Sequence, residues 1–437
     1  MPPLRVGLIG LGNVGTGVAR LLLEHADRIE SRAGRAVTLT RVAVRDTTRK
    51  RDVAVDPDCL TTDPLAVAQA DDVDLVVELM GGLCPARKVV HTALEAGKDV
   101  VTANKALLCE HGPELFAAAR EHNRCIAFEA SVAGGIPIIA ALAQSMTANQ
   151  ITAIEAIING TSNFILTEMF RTRASYDDTV REAQRLGYAE ADPAMDVNGT
   201  DAAQKLTILA QLAFGTRAVP GQFPVQGIDT IEPTDLVYAD ELGYAVKLLA
   251  TARLADGQLE MHVQPTLIRH GRPLAEVDGA FNMIALTGDA VGQTWYAGPG
   301  AGQMPTASSV VADIIDVAVG RAALTFQQLD LTGDGPGWPL QPDTETRRRY
   351  YLRFNVEDRP HVMADITDIL GRNEISLASV IQHEAPEPEG DNGSKTAVVP
   401  LVIMTHRTTE GQARQALSAL GALASVRTPA ICMPVSD

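Results

Sequence analysis

Aromatic side chains are scarce in this 437-residue chain, at 4% of the total. A core built without them falls to Ala, Val, Leu and Ile, which suits an α/β protein with buried parallel strands. Cysteine is rarer still. Cys59, Cys84, Cys109, Cys125 and Cys432 are scattered, odd in number and without a CxxC pair. That argues against a disulfide framework and a zinc site, and makes most of them small buried hydrophobes in a reducing compartment. No apolar run approaches ~20 residues, so nothing is expected to span a bilayer. Positive charge is in deficit, with 37 Lys and Arg against 54 Asp and Glu for a net −17. A nucleic-acid partner needs a positive face and an anionic membrane a basic stretch; neither is found. Met1-Pro-Pro-Leu-Arg5 passes straight into an apolar strand without a charged leader, so a cytoplasmic protein is expected.

What is present is a globular composition, 46% hydrophobic and 21% charged, and a length that calls for two or three domains. Arg5 to Ile9, Val37 to Val44, Val73 to Leu79, Asp99 to Thr102 and Cys125 to Phe128 read as strands. Helical stretches such as Val14 to Leu23, Val89 to Ala96 and Glu114 to Glu121 separate them, which implies a parallel, doubly wound sheet. After Gly134 the pattern turns α+β: strands at Ile151 to Asn159, Leu259 to Ile268 and Met283 to Gly288, helices at Tyr176 to Leu186 and Thr200 to Ala213. Thr306 to Leu324 reads as a helical, apolar segment that is expected to pack back on the first domain. A linker rich in Gly, Pro and charge, Leu329 to Arg349, precedes a final βαββαβ order that is ferredoxin-like. There the strands are Tyr350 to Val356, Ser376 to His383, Val398 to Met404 and Ala424 to Arg427, with an exposed acidic loop at Glu384 to Lys395.

Gly10-Leu-Gly12-Asn13-Val14-Gly15 lies between the first strand and first helix. Its glycines allow a tight turn, close approach of a pyrophosphate and close helix packing, and the helix N-terminus offers N–H groups to phosphate. The flanking βαβ pattern makes this a dinucleotide site rather than an ordinary glycine turn. At the end of the second strand, Arg45 precedes Asp46, with Arg49, Lys50 and Arg51 behind. An acidic residue there receives the ribose of NAD and an arginine the 2′-phosphate of NADP, so NADP is favoured and NAD stays possible. The basic cluster also reads as a solvated turn.

Asp201 and Lys205 stand four residues apart on one helix face. Most such pairs are surface salt bridges, but Leu206, Ile208 and Leu209 around them imply a largely buried helix. An ammonium held there could stabilise a growing oxyanion and deliver a proton to it. The histidines form no ligand set; His91, His111, His122 and the others are expected at the surface or in caps, with no catalytic or metal role.

The stretches GLIGLGNVG, VTANKALL, FEASVAGGIPII, INGTSNFI, LGYAEADPAMDVNGTDAAQKLTIL and GPGAGQMPTASSVVAD together resemble the homoserine dehydrogenases along nearly the whole chain. The resemblance implies a Rossmann domain (1–133, with 303–328 packing back on it), a substrate-binding and dimerisation domain (134–302), the linker (329–349) and an ACT-type regulatory domain (350–437). It implies reduction of L-aspartate 4-semialdehyde to L-homoserine by NAD(P)H, with Lys205 as proton donor and Glu190, Asp201 and Lys105 at the substrate. Lys105 also lies at the cofactor; alternatively, Asn104 leaves it as a surface lysine of a helix cap. Gly10, Gly12, Asn13, Val14, Gly15, Arg45, Gly187 and Gly302 would hold the cofactor. Glu129 and the carbonyls of Val132, Gly134 and Ile136 would hold sodium or another monovalent cation, though the same turn reads as a buried Ala/Gly link between domains. A homodimer or homotetramer follows from the same likeness. Glu357 to Ala364 resembles the ligand loop of ACT domains, which implies a threonine effector, but His361 stands where glycine is usual. Two other readings compete: another amino-acid or aldehyde dehydrogenase on this scaffold, and a non-catalytic nucleotide and amino-acid sensor. The joint presence of Lys105, Glu190, Asp201 and Lys205 counts against the sensor.

Overall fold

The computed structural model describes residues 1–329, 331, 337–383 and 397–436, leaving the acidic loop and part of the linker outside the described residues. Two compact units emerge: residues 1–160, 201–222 and 280–339 form the first, and 161–200, 223–279 and 340–437 the second.

The first unit carries a six-stranded sheet of β1 (Leu4–Ile9), β2 (Val37–Ala43), β3 (Leu60–Thr61), β4 (Leu75–Glu78), β5 (Asp99–Thr102) and β6 (Ile126–Ala127) in the order β3-β2-β1-β4-β5-β6. All its pairings are parallel. This is the doubly wound order, whose reversal beside β1 opens a crevice at the carboxyl ends of the strands. Every residue of β4 is buried, as a strand covered on both faces requires. Two helices lead toward that crevice, α1 (Asn13–Glu24) and α2 (Lys105–Glu121). A separate antiparallel trio, β7 (Ile151–Ile157), β8 (Phe281–Gly288) and β9 (Gly292–Pro299), completes the sheets of this unit. The helix α3 (Thr200–Phe214) begins where the chain returns to the first unit.

The expected helical segment from Thr306 to Leu324 consists of two helices. Its first part, α4 (Gln303–Ala318), ends at Val319, and Gly320, in the left-handed region at φ +81°, starts Arg321–Gln328. The helix α4 lies against α1 at Gly17, where a Cβ would stand 2.9 Å from the Ala307 Cβ. Any larger residue there would force the helices apart.

In the second unit the strands Tyr244–Ala255 and Gln258–Arg269 pair antiparallel, and Val426–Ser436 joins the latter in parallel through Val435 and Ser436. Arg347–Glu357, Val398–Thr405 and Leu377–Gln382 follow in spatial order. With the helices Val362–Arg372 and Glu410–Gly421 they make the expected βαββαβ layer. Tyr350, Leu352, Phe354 and Val356 face its core with Ile366, Leu370 and Leu420. The last strand runs to Ser436, well past the expected Arg427. The other face of Arg347–Glu357 is buried too. Tyr351 and Arg353 reach Asp235 on the helix Pro233–Glu241, so a one-sided alternation does not hold.

One histidine departs from expectation. His262 is 3% exposed in the middle of Gln258–Arg269, where both strand faces are covered, and burial holds it well below its ordinary pKa and hence neutral. The cysteines divide: Cys109 and Cys125 are buried, Cys84 is exposed.

Candidate active site

The glycine turn after β1 is built from close approaches. Gly10 has φ +100°, and a Cβ there would lie 2.6 Å from the Leu79 carbonyl oxygen. At Gly15 a Cβ would lie 2.0 Å from the Gly10 carbonyl oxygen. Gly12, by contrast, meets nothing within 4 Å and is exposed. No side chain caps α1, so its first N–H groups, at Asn13 to Gly15, face outward from a positive helix end. This cradle fits a pyrophosphate. The Asn13 Oδ1 accepts from Gln303 Nε2 at 3.2 Å, so the turn from Gly298 to Gly302, at the start of α4, adjoins the first glycine turn. Gly302, at φ +118°, precedes that helix.

At the end of β2, Arg45 and Asp46 are both exposed. The Asp46 carboxylate accepts from the Thr48 hydroxyl at 2.7 Å and the Thr48 N–H at 2.8 Å, which hold it below its ordinary range. It is committed to its own turn. Among the described residues no carboxylate pairs with Arg45.

The chemistry-bearing cluster converges on Asp201, in the first turn of α3 and 5% exposed. Lys205 Nζ donates to Asp201 Oδ2 at 2.7 Å and to the Ile158 carbonyl at 2.8 Å. Lys105 Nζ lies 3.0 Å from Asp201 Oδ1. Asn159 Nδ2 donates to Asp201 Oδ2 at 2.9 Å. Burial alone would raise the Asp201 carboxyl, but the Lys205 and Lys105 ammoniums outweigh it and hold it well below its ordinary value. The pair is therefore no surface salt bridge: the Lys205 side chain is 12% exposed. An ammonium carries three N–H donors, and Lys205 spends two within the protein, which leaves one to aim at a bound oxygen. Lys105 opens α2, and Asn104 caps that helix by accepting from the Leu107 N–H at 3.1 Å. Asn159 and the Ile158 carbonyl escape a reading of the sequence, although both lie in the INGTSNFI stretch. Nothing local marks a strand-end asparagine as the partner of a carboxylate 42 residues on.

Glu190 and Gly187 belong to the second unit. Gly187 ends the helix Tyr176–Leu186 in the left-handed region at φ +79°, and the Glu190 side chain is exposed on the loop that follows.

Glu129 is buried, and its two carboxylate oxygens accept the N–H groups of Ile139 and Ala140 at 2.9 and 2.8 Å. Burial still pushes its carboxyl up to about 7, against those hydrogen bonds. The buried Asp313 accepts from the Glu129 N–H at 2.9 Å, which brings a second carboxyl to the same place. The Gly134 carbonyl accepts from the Ser309 hydroxyl at 2.6 Å, and the Ile136 carbonyl from the Ile138 N–H at 2.8 Å. Val132 is fully buried in the same turn. Among the described residues no three or more His, Cys, Asp and Glu side chains gather as a metal site would need, and no helix is long and apolar enough to cross a membrane.

Three family models match the chain: homoserine dehydrogenase, NAD binding domain, over 10–129; homoserine dehydrogenase over 137–315; and the ACT domain over 350–425. The chain is 44% identical to a homoserine dehydrogenase of Pseudomonas aeruginosa, with all of both covered. It is 42% identical to that of Neisseria gonorrhoeae over 98% of each. Among solved structures, a homoserine dehydrogenase from Thiobacillus denitrificans superposes with a TM-score of 0.90 at 44% identity, covering 100% of this chain and 98% of that one. A hyperthermophilic archaeal homoserine dehydrogenase in complex with NADPH superposes with a TM-score of 0.61 at 26% identity, over 73% of this chain and 98% of that one. The glycine cradle, the buried lysine and carboxylate cluster and these full-length likenesses agree: the chain belongs to the homoserine dehydrogenases, NAD(P)-dependent oxidoreductases that reduce L-aspartate 4-semialdehyde to L-homoserine, with an ACT domain at its C-terminal end.

Proposed function

We propose that Lys205 is the proton donor of this reaction. The bound nicotinamide supplies the hydride to the aldehyde carbon. Negative charge then grows on the aldehyde oxygen, where the third N–H of Lys205 stabilises it and delivers the proton. The observation that carries this reading is the Asp201 contact, which holds the Lys205 ammonium in place with one N–H left to aim at a bound oxygen. Asp201 orients both ammoniums, Lys105 stands between cofactor and substrate, and Glu190 receives the substrate α-ammonium, a role its exposed carboxylate suits.

The cofactor is NADP in preference to NAD, held by Gly10, Gly12, Asn13, Val14, Gly15, Arg45, Lys105, Gly187 and Gly302. The commitment of Asp46 to its own turn, beside an Arg45 without a carboxylate partner, supports that preference. Sodium or another monovalent cation sits at Glu129, Val132, Gly134 and Ile136. The donors are all oxygen, one of them charged, which suits a hard cation, and each carbonyl keeps a second lone pair. We further assign the boundaries 1–133, 134–302, 329–349 and 350–437, with 303–328 on the first domain. The enzyme is taken to be a cytoplasmic homodimer or homotetramer, with threonine as effector at the ACT domain. In favour of an effector site, His361 holds the left-handed conformation, φ +75°, that a glycine would adopt there.

Initial rates of aspartate semialdehyde reduction with NADPH and NADH, each with and without millimolar threonine, test these assignments together. NADPH is expected to give the higher kcat/KM and threonine to lower the rate; the reverse preference, or no change in kcat or KM with threonine, would remove the corresponding claim.

A further inference from the structure

One buried carboxylate holds the turn that leaves β4 and the start of α2. Glu78, the last residue of β4, is fully buried. Its Oε1 accepts the N–H groups of Met80 at 2.9 Å and Gly81 at 3.3 Å. Its Oε2 accepts the hydroxyl of Thr102, the last residue of β5, at 2.8 Å. Because that hydroxyl proton goes to Glu78, the Thr102 oxygen is left to accept, and it takes the Asn104 N–H at 3.0 Å. Asn104 then donates from Nδ2 to the Gly82 carbonyl at 2.7 Å and accepts from the Leu107 N–H. The next residue is Lys105, whose Nζ meets Asp201. The chain of bonds thus runs without a gap from a carboxylate at the carboxyl end of one parallel strand to the helix start that presents Lys105. Both strand ends border the crevice where ligands bind in such sheets.

We propose that Glu78 is a positioning residue for the hydride transfer, acting through Thr102 and Asn104 to hold Lys105 against Asp201. The inference rests on the role assigned to Lys105 above. The direction of the network demands an acceptor on both sides of the Glu78 carboxyl. A glutamine has only one. With its nitrogen toward Met80 and Gly81 the amide meets two N–H donors; with its nitrogen toward Thr102 the hydroxyl must rotate to accept, and its own proton loses the Glu78 acceptor.

A double-mutant cycle on the full-length enzyme tests this, because only residues that act on one another give non-additive losses. Lys105→Met is measured first and is expected to lower kcat/KM. Glu78→Gln should then lower kcat/KM about tenfold in the wild-type background, the rate equivalent of one misplaced hydrogen bond. In the Lys105→Met background it should cost less than about twofold. Thr102→Val enters the same network at a second point should Glu78→Gln fail to fold, and Thr102→Ser should recover what Thr102→Val loses. NADPH fluorescence and Tm report the fold of each variant. An equal loss in both backgrounds means a general structural role and overturns the inference, as does an unchanged rate in Glu78→Gln or, where that variant does not fold, in Thr102→Val. An unchanged kcat/KM in Lys105→Met removes the role of Lys105 and the inference with it, and is recognised before Glu78 is touched.

Discussion

Lys205 Nζ and Asp201 Oδ2 stand 2.7 Å apart, one helical turn from each other and almost out of reach of water. Removing the ammonium removes the proton donor but leaves the glycine turn untouched. Lys205→Ala is expected to lower kcat by roughly 10²–10⁴-fold, while NADPH binding followed by fluorescence persists. Loss of both together would point to misfolding.

Asp201→Asn should cost stability in a pH-dependent way. The carboxyl is held below its ordinary value, so its contribution is fully present above that value, near 3.8, and fades as pH falls through the lower folded value. Near neutrality the substitution leaves two lysines without their counter-charge. The loss should be about 3 kcal/mol, at the low end for a buried pair because Lys105 is partly exposed. Urea midpoints for the two proteins should stand well apart at pH 7 and approach one another below pH 3.8.

Arg45→Ala should act on cofactor choice alone. Losing one charge-assisted contact to the 2′-phosphate should lower kcat/KM for NADPH by about ten- to a hundredfold. The value for NADH should hardly move. Equal losses with both cofactors would count against the assigned role of Arg45.

Asp235→Ala addresses stability rather than catalysis. Asp235 receives Arg353 Nε at 2.6 Å and Nη2 at 3.0 Å, both residues being buried, and it also accepts from the Glu232 N–H at the start of its helix. Stripping this carboxylate from a guanidinium that is 2% exposed, and leaving it only the half-exposed Glu232 at 3.0 Å, should cost about 3 kcal/mol, the low end for a broken buried pair. Chemical denaturation measures it. Replacing both residues by apolar ones of similar size should recover much of the loss.

The doubly wound sheet was legible because period, turn chemistry and glycine spacing all point one way along β1 and α1. Asp201 and Lys205 were legible as a pair, but helix spacing alone left open whether they face water, since burial is set by what packs on top. The approach of Lys105 and Asn159 to the same carboxylate is tertiary and leaves no local trace. The strand Tyr244–Ala255 escaped notice because it is buried without a break from Val246 to Ala252, so no period-2 alternation appears. The break at Gly320 was readable in principle, since a glycine beyond an apolar helical run commonly ends it.

The way Val426–Ser436 finishes has a bearing on handling the enzyme. Its last residues, Val435 and Ser436, are hydrogen-bonded beside Leu267 and Ile268 of another strand, and Arg353 is clasped by Asp235. Cutting at residue 349 to remove the ACT domain would therefore expose a raw strand flank and strand an acid in the gap. Such a truncate should precipitate, and affinity tags are better fused at the opposite terminus.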